Sequence, residues 1–310
     1  MKNSTLGIQI SVVVPTLNRF NDLNSLLKQL LKQNFKNFEV IIIDQSDKKY
    51  NFKSEEFKLY EFKYIHSKLK SASAARNIGI KLSKGEVILF LDDDVIISNP
   101  NFLNNHYRHY QDEEIFGVVG STFEYSKDEL PGFKRKNGKN ILVDWLNFPR
   151  NYGCHTFVAS GRSNNLSVRR ECAIAVGGMD ENYEKGAHRE EADFCIRIYR
   201  KYGAFLFDPQ ARLIHIGNKI GGIRSWNDNQ FVKAKHHMVG AIYFVLHTAP
   251  KKYFPIFVLD MFRYFLINKT ILKRPQLWAL TTSRMFSAFF EALKKHRRGG
   301  IYLIKVDKHS

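Results

Sequence analysis

The sequence predicts an α/β fold that contains a parallel, doubly wound sheet. Three short apolar runs, at residues 8–14, 40–43 and 87–91, have the nearly continuous apolar character of strands buried on both faces. Segments with helical spacing separate them: leucines from Leu23 to Leu31 after the first run, with Asn21 or Asp22 as the expected N-cap, and residues 71–82 before the third. Strand and helix therefore alternate, as they do in parallel sheets with crossover helices.

Further elements follow with weaker signals. Residues 125–151 are polar and aperiodic, which predicts a long surface loop over the site. We expect strands at residues 118–123, 167–168, 205–207 and 213–216, and a helix over 189–202 with acidic residues in its first turn. After about residue 217 the composition changes to basic and aromatic helical segments. This change divides the chain into an α/β domain, 1–217, and a basic helical extension, 218–310.

Polar side chains follow each of the first three predicted strands. Thr16, Asn18 and Arg19 come after the first, Asp44 ends the second, and Asp92, Asp93 and Asp94 follow the third. Ligands of open α/β sheets bind beyond the carboxyl ends of the strands. The sequence therefore predicts a ligand site at this edge.

The triple aspartate has two readings. Three adjacent carboxylates repel one another and favour a bound cation, and hard ions such as Mg²⁺ or Mn²⁺ bind carboxylates together with substrate phosphates. Such an ion could also stabilise a departing diphosphate. The alternative is an acidic, solvated turn or a helix cap.

Seven segments of the chain together carry a family resemblance. They are SVVVPTLNR (11–19), VIIIDQSD (40–47), SAARNIGI (73–80), GEVILFLDDDV (85–95), SGRSNNLSVRRE (160–171), GGMDE (177–181) and HREEADFCIR (188–197). In this order they resemble the family 2 glycosyltransferases over about residues 8–217. The resemblance implies the GT-A nucleotide-sugar-binding fold, a Rossmann-like mixed sheet flanked by helices, here with a C-terminal basic amphipathic helical extension.

The resemblance also assigns roles in binding the donor. Asp44 would accept hydrogen bonds from the nucleotide base, and Arg76 would face the nucleotide while Asn77 supports that turn. Pro15, Thr16, Asn18 and Arg19 would line the nucleotide pocket. Asp92 and Asp93 would reach the ribose or metal-bound water. Asp94 would bind Mn²⁺ or Mg²⁺ with His215 nearby, although Asp93 and Asp94 could exchange roles because the register is ambiguous by one residue.

Inverting transfer also needs a base for the acceptor hydroxyl. The family pattern places it in the second acid of Glu190-Glu191-Ala192-Asp193, so the resemblance implies Glu191, where many members carry Asp. The alternative for these acids is a helix first turn that complements the helix dipole. Acceptor-side candidates are Arg162, Asn164, Asn165 and Glu190, and aromatic candidates for stacking on acceptor sugars are Trp145, Trp226, Phe148, Tyr152 and Phe157.

The charge of the chain is concentrated in its last third. Residues 1–210 contain 30 Lys+Arg and 26 Asp+Glu, whereas residues 211–310 contain 18 and 4, and together they give the net charge of +18. This asymmetry argues against a nucleic-acid groove over the first domain. It fits an amphipathic helical extension that contacts a membrane, or one that packs on the core or forms a homo-oligomer.

Localisation follows from what the sequence lacks. We find no signal peptide pattern and no apolar stretch of membrane-spanning length, and the three widely spaced cysteines predict free thiols. The expected location is cytoplasmic, with peripheral contact at the inner face of the cytoplasmic membrane as an option.

The sequence thus predicts an inverting, metal-dependent glycosyltransferase. It would move a sugar from a nucleoside diphosphate donor to a hydroxyl of a saccharide or lipid-linked saccharide, in the synthesis of cell-surface polysaccharide or glycan. One alternative is a nucleotidyltransferase, although the loop PTLNRF (15–20) lacks the glycines expected of that class. The other is an inactive membrane- or glycan-binding module on the same fold, which the intact acidic motifs disfavour.

Overall fold

The computed structural model describes residues 7–52, 61–125, 141–218, 220–223 and 234–303. Its strands are β1 (Ile10–Thr16), β2 (Phe38–Asp44), β3 (Glu61–His66), β4 (Val87–Leu91), β5 (Val95–Ile96), β6 (Gly117–Glu124), β7 (Thr156–Val158), β8 (Asn165–Arg169) and β9 (Phe205–His215). Its helices are α1 (Phe20–Leu31), α2 (Ala72–Leu82), α3 (Phe102–Tyr107), α4 (Ile141–Leu146), α5 (Arg170–Ala175), α6 (Glu190–Tyr202), α7 (Lys235–His247), α8 (Phe254–Leu266), α9 (Lys269–Lys273) and α10 (Leu277–Arg298). Short 3₁₀ turns precede β6 and α8.

One mixed sheet organises the first two thirds of the chain. Its strand order is β3-β2-β1-β4-β8-β6-β9-β5, and β7 pairs with β9. β1 to β4 are parallel, β8 runs antiparallel to β4 and β6, and β6 is parallel to β9. The predicted α/β class with a mixed sheet is confirmed, and the helical C-terminal extension is present.

The apolar runs form the core as expected. Every residue of β2 and β4 is buried, and α1 buries Leu23, Leu26, Leu27 and Leu30 against the sheet. α2 approaches β1 so closely that a Cβ on Gly79 would lie 2.2 Å from Val13 Cγ1, which only glycine avoids. Strand and helix thus pack as the hydrophobic pattern predicts.

Several features differ from the prediction, the first being the helix α4 (Ile141–Leu146), which lies within residues 125–151 that were predicted as a surface loop. α1 begins at Phe20 after Arg19, and neither Asn21 nor Asp22 is its N-cap. β3 was not predicted, because its alternating sequence EFKYIH leaves most side chains half-buried at the sheet edge. The two short strands expected at 205–207 and 213–216 form the single strand β9, which crosses an irregularity in its pairing with β6.

The sheet register brings the strand ends together. Thr16 at the end of β1 pairs with Asp44 at the end of β2. The short strand β5 follows Asp94 and pairs antiparallel with β9, so that Val95 lies opposite His215. His215 is thereby held beside the triple aspartate.

The C-terminal helices share a hydrophobic core with the first part of the chain. Met238, Tyr243 and Phe244 of α7 pack in one cluster with Ala192 and Ile196 of α6. α7 and α8 contact each other, and α10 contacts both. Among the described residues, no helix is long and apolar enough to cross a membrane.

The segment after α10 returns to the α/β part. Ile301 N–H donates to Asp180 Oδ1 at 3.0 Å, and Glu181 N–H donates to the Ile301 carbonyl at 2.8 Å. Leu303 N–H donates to the Gly177 carbonyl at 2.8 Å. The turn at residues 177–181 is therefore hydrogen-bonded to residues that lie more than 100 positions later in the sequence.

Candidate functional site

Asp93 is the central carboxylate of the cluster, and it is buried. It accepts a hydrogen bond from Thr16 Oγ1 at 2.7 Å, and its other oxygen lies 3.1 Å from Arg19 Nη1. The same Arg19 nitrogen lies 3.0 Å from Asp94. Burial raises the pKa of Asp93 to about 7, although the Arg19 charge opposes the increase. Arg19 thus neutralises part of the charge that three carboxylates place at the end of β4.

Arg19 is itself held by the segment after β9. Its guanidinium donates to the carbonyls of Asn218 and Ile220, the second at 3.0 Å. Gly221 and Gly222 have φ values of 70° and 75°, and a Cβ on Gly222 would lie 2.7 Å from the Arg19 guanidinium. The backbone at Gly221 and Gly222 therefore fits closely around the Arg19 guanidinium.

Asp94 lies beside His215. His215 Nε2 is 3.4 Å from Asp94 Oδ1, and the backbone N–H of Asn218 donates to Asp94 Oδ2 at 3.0 Å. Burial alone would lower the pKa of His215, but its hydrogen bonds to Asp94 and Glu124 raise it to about 10. The imidazole is therefore held in place by two carboxylates.

Glu124 orients the other side of that imidazole. Its Oε2 is 2.9 Å from His215 Nδ1, and its Oε1 accepts from Arg162. The hydrogen bond from His215 is the largest cause that lowers the pKa of Glu124 to about 2. A histidine that ligates a metal commonly donates its other N–H to a carboxylate, which is the position that Glu124 occupies.

These residues fit a divalent cation. Asp92, Asp94 and His215 each offer a ligand atom, and the three atoms lie within 4.8 Å of one another. Asp94 Oδ1 is buried, and His215 Nε2 lies 3.4 Å from it. Carboxylate oxygens are the ligands that hard divalent cations prefer. Asp93 accepts from Thr16 and is not part of this group of three. Which of Asp93 and Asp94 binds the metal stays a prediction.

Arg76 connects the aspartates to the acidic start of α6. One guanidinium nitrogen lies 3.2 Å from Asp92 and another lies 3.3 Å from Glu190. Ser73 also donates to Glu190, at 3.3 Å. The next residue, Asn77, exchanges hydrogen bonds with the backbone of Met179 at 2.7 and 2.9 Å, so it supports the 177–181 turn.

Hydrogen bonds connect the loops after β1 and β2, which carry residues predicted to bind the nucleotide. Asn18 has a φ of 54°; its N–H donates to Ser46 Oγ, and its side chain bonds Asp47. Pro15 lies next to them in β1. Asp44 is fully buried, and its carboxylate accepts from Ser46 N–H at 2.8 Å and from the Tyr64 hydroxyl. Contact of these residues with a nucleotide stays a prediction.

Glu191 lies in the first turn of α6. Its side chain is buried, and Ser163 Oγ donates to its Oε1 at 2.8 Å. The residue before the helix, Arg189, has a φ of 78°. A helix N-terminus favours negative charge, so this position suits an ionised carboxylate. Its role as the base stays a prediction.

The acceptor-side candidates differ in the hydrogen bonds and ion pairs that they form within the protein. Arg162 contacts Glu124, and Asn164 accepts from Thr122 at 3.4 Å. Asn165 is in β8, and its amide donates to the carbonyls of Ser121 and Ala211. The acceptor roles of these residues, as of Glu190, stay predictions.

The aromatic candidates separate by exposure. Trp145 is 5% exposed and donates to the Ala159 carbonyl, so it packs in the core. Phe148 and Tyr152 pack against core clusters, whereas Phe157 is 45% exposed. Trp226 lies outside the described residues, as do residues 126–140 of the predicted surface loop.

Several residues near the site were missed by sequence reasoning. Glu124 could have been found, since it ends β6 and the strand-end rule applies to it. Ser163 and Tyr64 had no comparable signal, because they lie close to Glu191 and Asp44 only after folding.

The mixed sheet with carboxylates at its strand ends has the GT-A fold. The glycosyl transferase family 2 model matches residues 11–173, and the chain belongs to this family. It is 35% identical over 205 residues to an uncharacterized glycosyltransferase of Haemophilus influenzae, an alignment that covers 62% of each chain.

Two solved structures share the fold. Staphylococcus aureus TarS 1–349 in complex with UDP-GlcNAc superposes with a TM-score of 0.60 at 15% identity, covering 96% of this chain and 100% of that one. The mannosyltransferase PcManGT of Pyrobaculum calidifontis, in complex with GDP-Man and Mn²⁺, gives a TM-score of 0.54 at 14% identity, covering 92% of this chain and 76% of that one. At these identities the likeness shows the fold alone.

Proposed function

We propose that this chain is an inverting glycosyltransferase. It transfers a sugar from a nucleoside diphosphate sugar to a hydroxyl of a saccharide or lipid-linked saccharide, in the synthesis of cell-surface polysaccharide or glycan. One observation carries the proposal: Arg76 bridges Asp92 and Glu190 at 3.2 and 3.3 Å. This bridge joins the carboxylates suited to a metal and diphosphate to the helix that carries the candidate base.

Asp92, Asp94 and His215 would hold the divalent cation, Mn²⁺ or Mg²⁺. When bound, the cation would stabilise the negative charge of the leaving diphosphate. Arg19 would add a second positive charge at the same edge, because it already lies within 3.1 Å of Asp93 and Asp94. Glu124 would keep the His215 ring oriented through its 2.9 Å contact with Nδ1.

Glu191 would remove the proton from the acceptor hydroxyl as its oxygen attacks the anomeric carbon. The C–O bond to the acceptor forms while the bond to the diphosphate breaks, and attack from the opposite side inverts the configuration. Ser163 would orient Glu191 by donating to its Oε1 at 2.8 Å. A positioned base of this kind contributes about 10²–10⁴-fold to a rate.

The partners of the reaction belong to the same proposal. Binding of a nucleotide sugar is supported by the fold shared with proteins solved with UDP-GlcNAc and GDP-Man. Peripheral membrane contact by residues 218–310 is supported by their basic composition. A homo-oligomer also stays a prediction.

A thermal-shift panel tests the proposal. UDP-, GDP-, CMP- and dTDP-sugars are each added with Mn²⁺, with Mg²⁺ or with a chelator. We expect one donor class to raise the melting temperature only when the metal is present, and Asp94→Asn to lose the increase. The matched control is Asp112→Asn, a change at an exposed carboxylate outside the site. If no nucleotide sugar gives a metal-dependent shift, the proposal fails.

A further inference from the structure

The surface of α8, α9 and α10 is unusually apolar for a helical region. Within the described part of the chain, 18 large apolar side chains are exposed, and 11 of them lie between residues 254 and 290. They are Phe254, Ile256, Leu259, Phe262, Ile267, Leu272, Trp278, Leu280, Phe286, Phe289 and Phe290. Exposed apolar side chains at this density mark a surface that binds something.

α10 has two apolar faces, and internal packing explains only one. Thr281, Met285, Ala288 and Ala292 recur at i, i+4, i+7 and i+11 and are buried, as expected for the face turned to the protein. Phe286, Phe289 and Phe290 form a second face, and they are 67%, 40% and 55% exposed. Phe290 lies 5.0 Å from Phe286 and 5.8 Å from Phe289 between ring centroids, so the three rings form one patch.

α8 repeats the arrangement. Phe257 and Phe265 are buried in the shared core, whereas Leu259 and Phe262 on the other side of the helix are 68% and 43% exposed. α8 and α10 contact each other, so two neighbouring helices each carry an exposed apolar face. We call the exposed apolar side chains of α8, α9 and α10, with the exposed lysines and arginines among them, the docking surface.

The docking surface is strongly positive. Residues 251–298 contain eleven Lys+Arg and two Asp+Glu. Both acids are in ion pairs: Asp260 with Arg189 at 2.6 Å, and Glu291 with Lys235 at 2.8 Å. Lys273, Lys294 and Arg297 are among the exposed cations. Apolar anchors and positive charge are therefore presented together.

We propose that the docking surface binds an anionic lipid bilayer. Helices with aromatic and aliphatic side chains on one side and basic residues beside them lie in the interface of such a membrane. A second copy of this chain fits less well, because it would bring two positive surfaces together. Membrane binding of this kind extends the proposed function, since it would place the site at the surface where a lipid-linked acceptor resides.

Vesicle flotation tests the proposal directly. The full chain is mixed with vesicles of phosphatidylcholine alone, or of phosphatidylcholine with phosphatidylglycerol, and floated on a density gradient. We expect binding to the anionic vesicles that decreases with salt. The double variant Phe286→Ala with Phe290→Ala should bind about tenfold more weakly, because two exposed rings no longer enter the membrane. Lys294→Gln with Arg297→Gln should reduce the preference for anionic lipid.

Leu69→Ala is the matched control, since Leu69 is 57% exposed but lies between β3 and α2. It should float like the unsubstituted chain. The proposal would be overturned if the chain floated with neither type of vesicle. It would also be overturned if the Phe286/Phe290 double variant floated as well as the unsubstituted chain. A dimer by light scattering that the same variant abolishes, without flotation, would identify a second copy as the occupant instead. Flotation does not depend on turnover, so its failure is distinct from a failure of sugar transfer.

Discussion

Arg189 and Asp260 form an ion pair of 2.6 Å that joins the residue before α6 to the middle of α8. The Arg189 side chain is 7% exposed and also donates to the carbonyls of Trp145 and Leu146. Burial lowers the pKa of Arg189, and the Asp260 charge opposes that effect. Because Glu190 and Glu191 follow directly, this pair fixes the start of the helix that carries the candidate base.

Breaking this pair should weaken both stability and catalysis. Asp260→Asn removes the charge that compensates the buried guanidinium but keeps a hydrogen-bond acceptor, so we expect a loss of about 1–3 kcal/mol in the free energy of unfolding. Denaturant titration measures it. The turnover number should decrease while donor affinity is unchanged, because the proposed donor site is at the strand ends.

Arg263→Gln is the control for that experiment. Arg263 reaches the other oxygen of Asp260 at 3.4 Å but is 73% exposed, so its loss should cost less than about 1 kcal/mol. Equal losses in the two variants would contradict a special role for Arg189.

Glu191→Gln should abolish transfer but preserve donor binding. The amide cannot accept the proton of the acceptor hydroxyl, so we expect the turnover number to decrease by about 10²–10⁴-fold. Calorimetry with the nucleotide sugar and metal should give an affinity like that of the unsubstituted chain. Glu191→Asp should retain part of the activity, because the shorter carboxylate is still a base. Turnover of Glu191→Gln at the original rate would remove Glu191 from this role.

Glu124→Gln should weaken metal binding without removing a ligand. Glu124 contacts His215 Nδ1 at 2.9 Å, and loss of such an outer partner typically lowers metal affinity by about 10–100-fold. Titration of Mn²⁺ into the chain in the presence of the nucleotide measures the change. Glu114→Gln, at an exposed position outside the site, is the control. Identical affinities in the two variants would show that Glu124 does not act on the metal site.

Asp208 should make the folded state sensitive to acid. Burial raises the pKa of Asp208, but hydrogen bonds from His109, the Gln210 backbone and Arg108 outweigh it and lower the pKa to about 2. Since the ordinary pKa is 3.8, the unfolded chain binds the proton first as pH decreases. The stabilisation, about 2 kcal/mol, is therefore present above about pH 4 and is lost between about pH 4 and pH 2.

Asp208→Asn should remove this part of the pH dependence. The free energy of unfolding of the unsubstituted chain should decrease more between about pH 6 and pH 3 than that of the variant. Asp112→Asn, at a nearby exposed carboxylate, should behave like the unsubstituted chain. If the unsubstituted chain, Asp208→Asn and Asp112→Asn all have the same pH dependence, Asp208 is not the source of the acid sensitivity.

The sequence predicted those features that depend on local pattern. β1, β2 and β4 were recognised because strands buried on both faces are apolar throughout, and Asp92 to Asp94 were located because they follow such a strand. β3 was not predicted because this edge strand contains the charged residues Glu61 and Lys63 among its apolar residues.

Features that depend on the tertiary arrangement were not predictable. The Arg189–Asp260 pair spans 71 positions, and no pattern in either segment indicates it. Asn165 illustrates the converse. It reads as a polar candidate for the site, yet its amide bonds the Ser121 and Ala211 carbonyls where the pairing of β6 and β9 is irregular. A sequence alone does not reveal which polar side chains the backbone itself requires.

The hydrogen bonds from Ile301 and Leu303 to the 177–181 turn also set an order of events during synthesis. The ribosome makes the chain from its N-terminus, and the parts made first can fold first. The turn supported by Asn77, next to Arg76, obtains its last hydrogen bonds only after residue 303 has emerged. A nascent chain that already contains every family motif would therefore still lack the last hydrogen bonds of this turn.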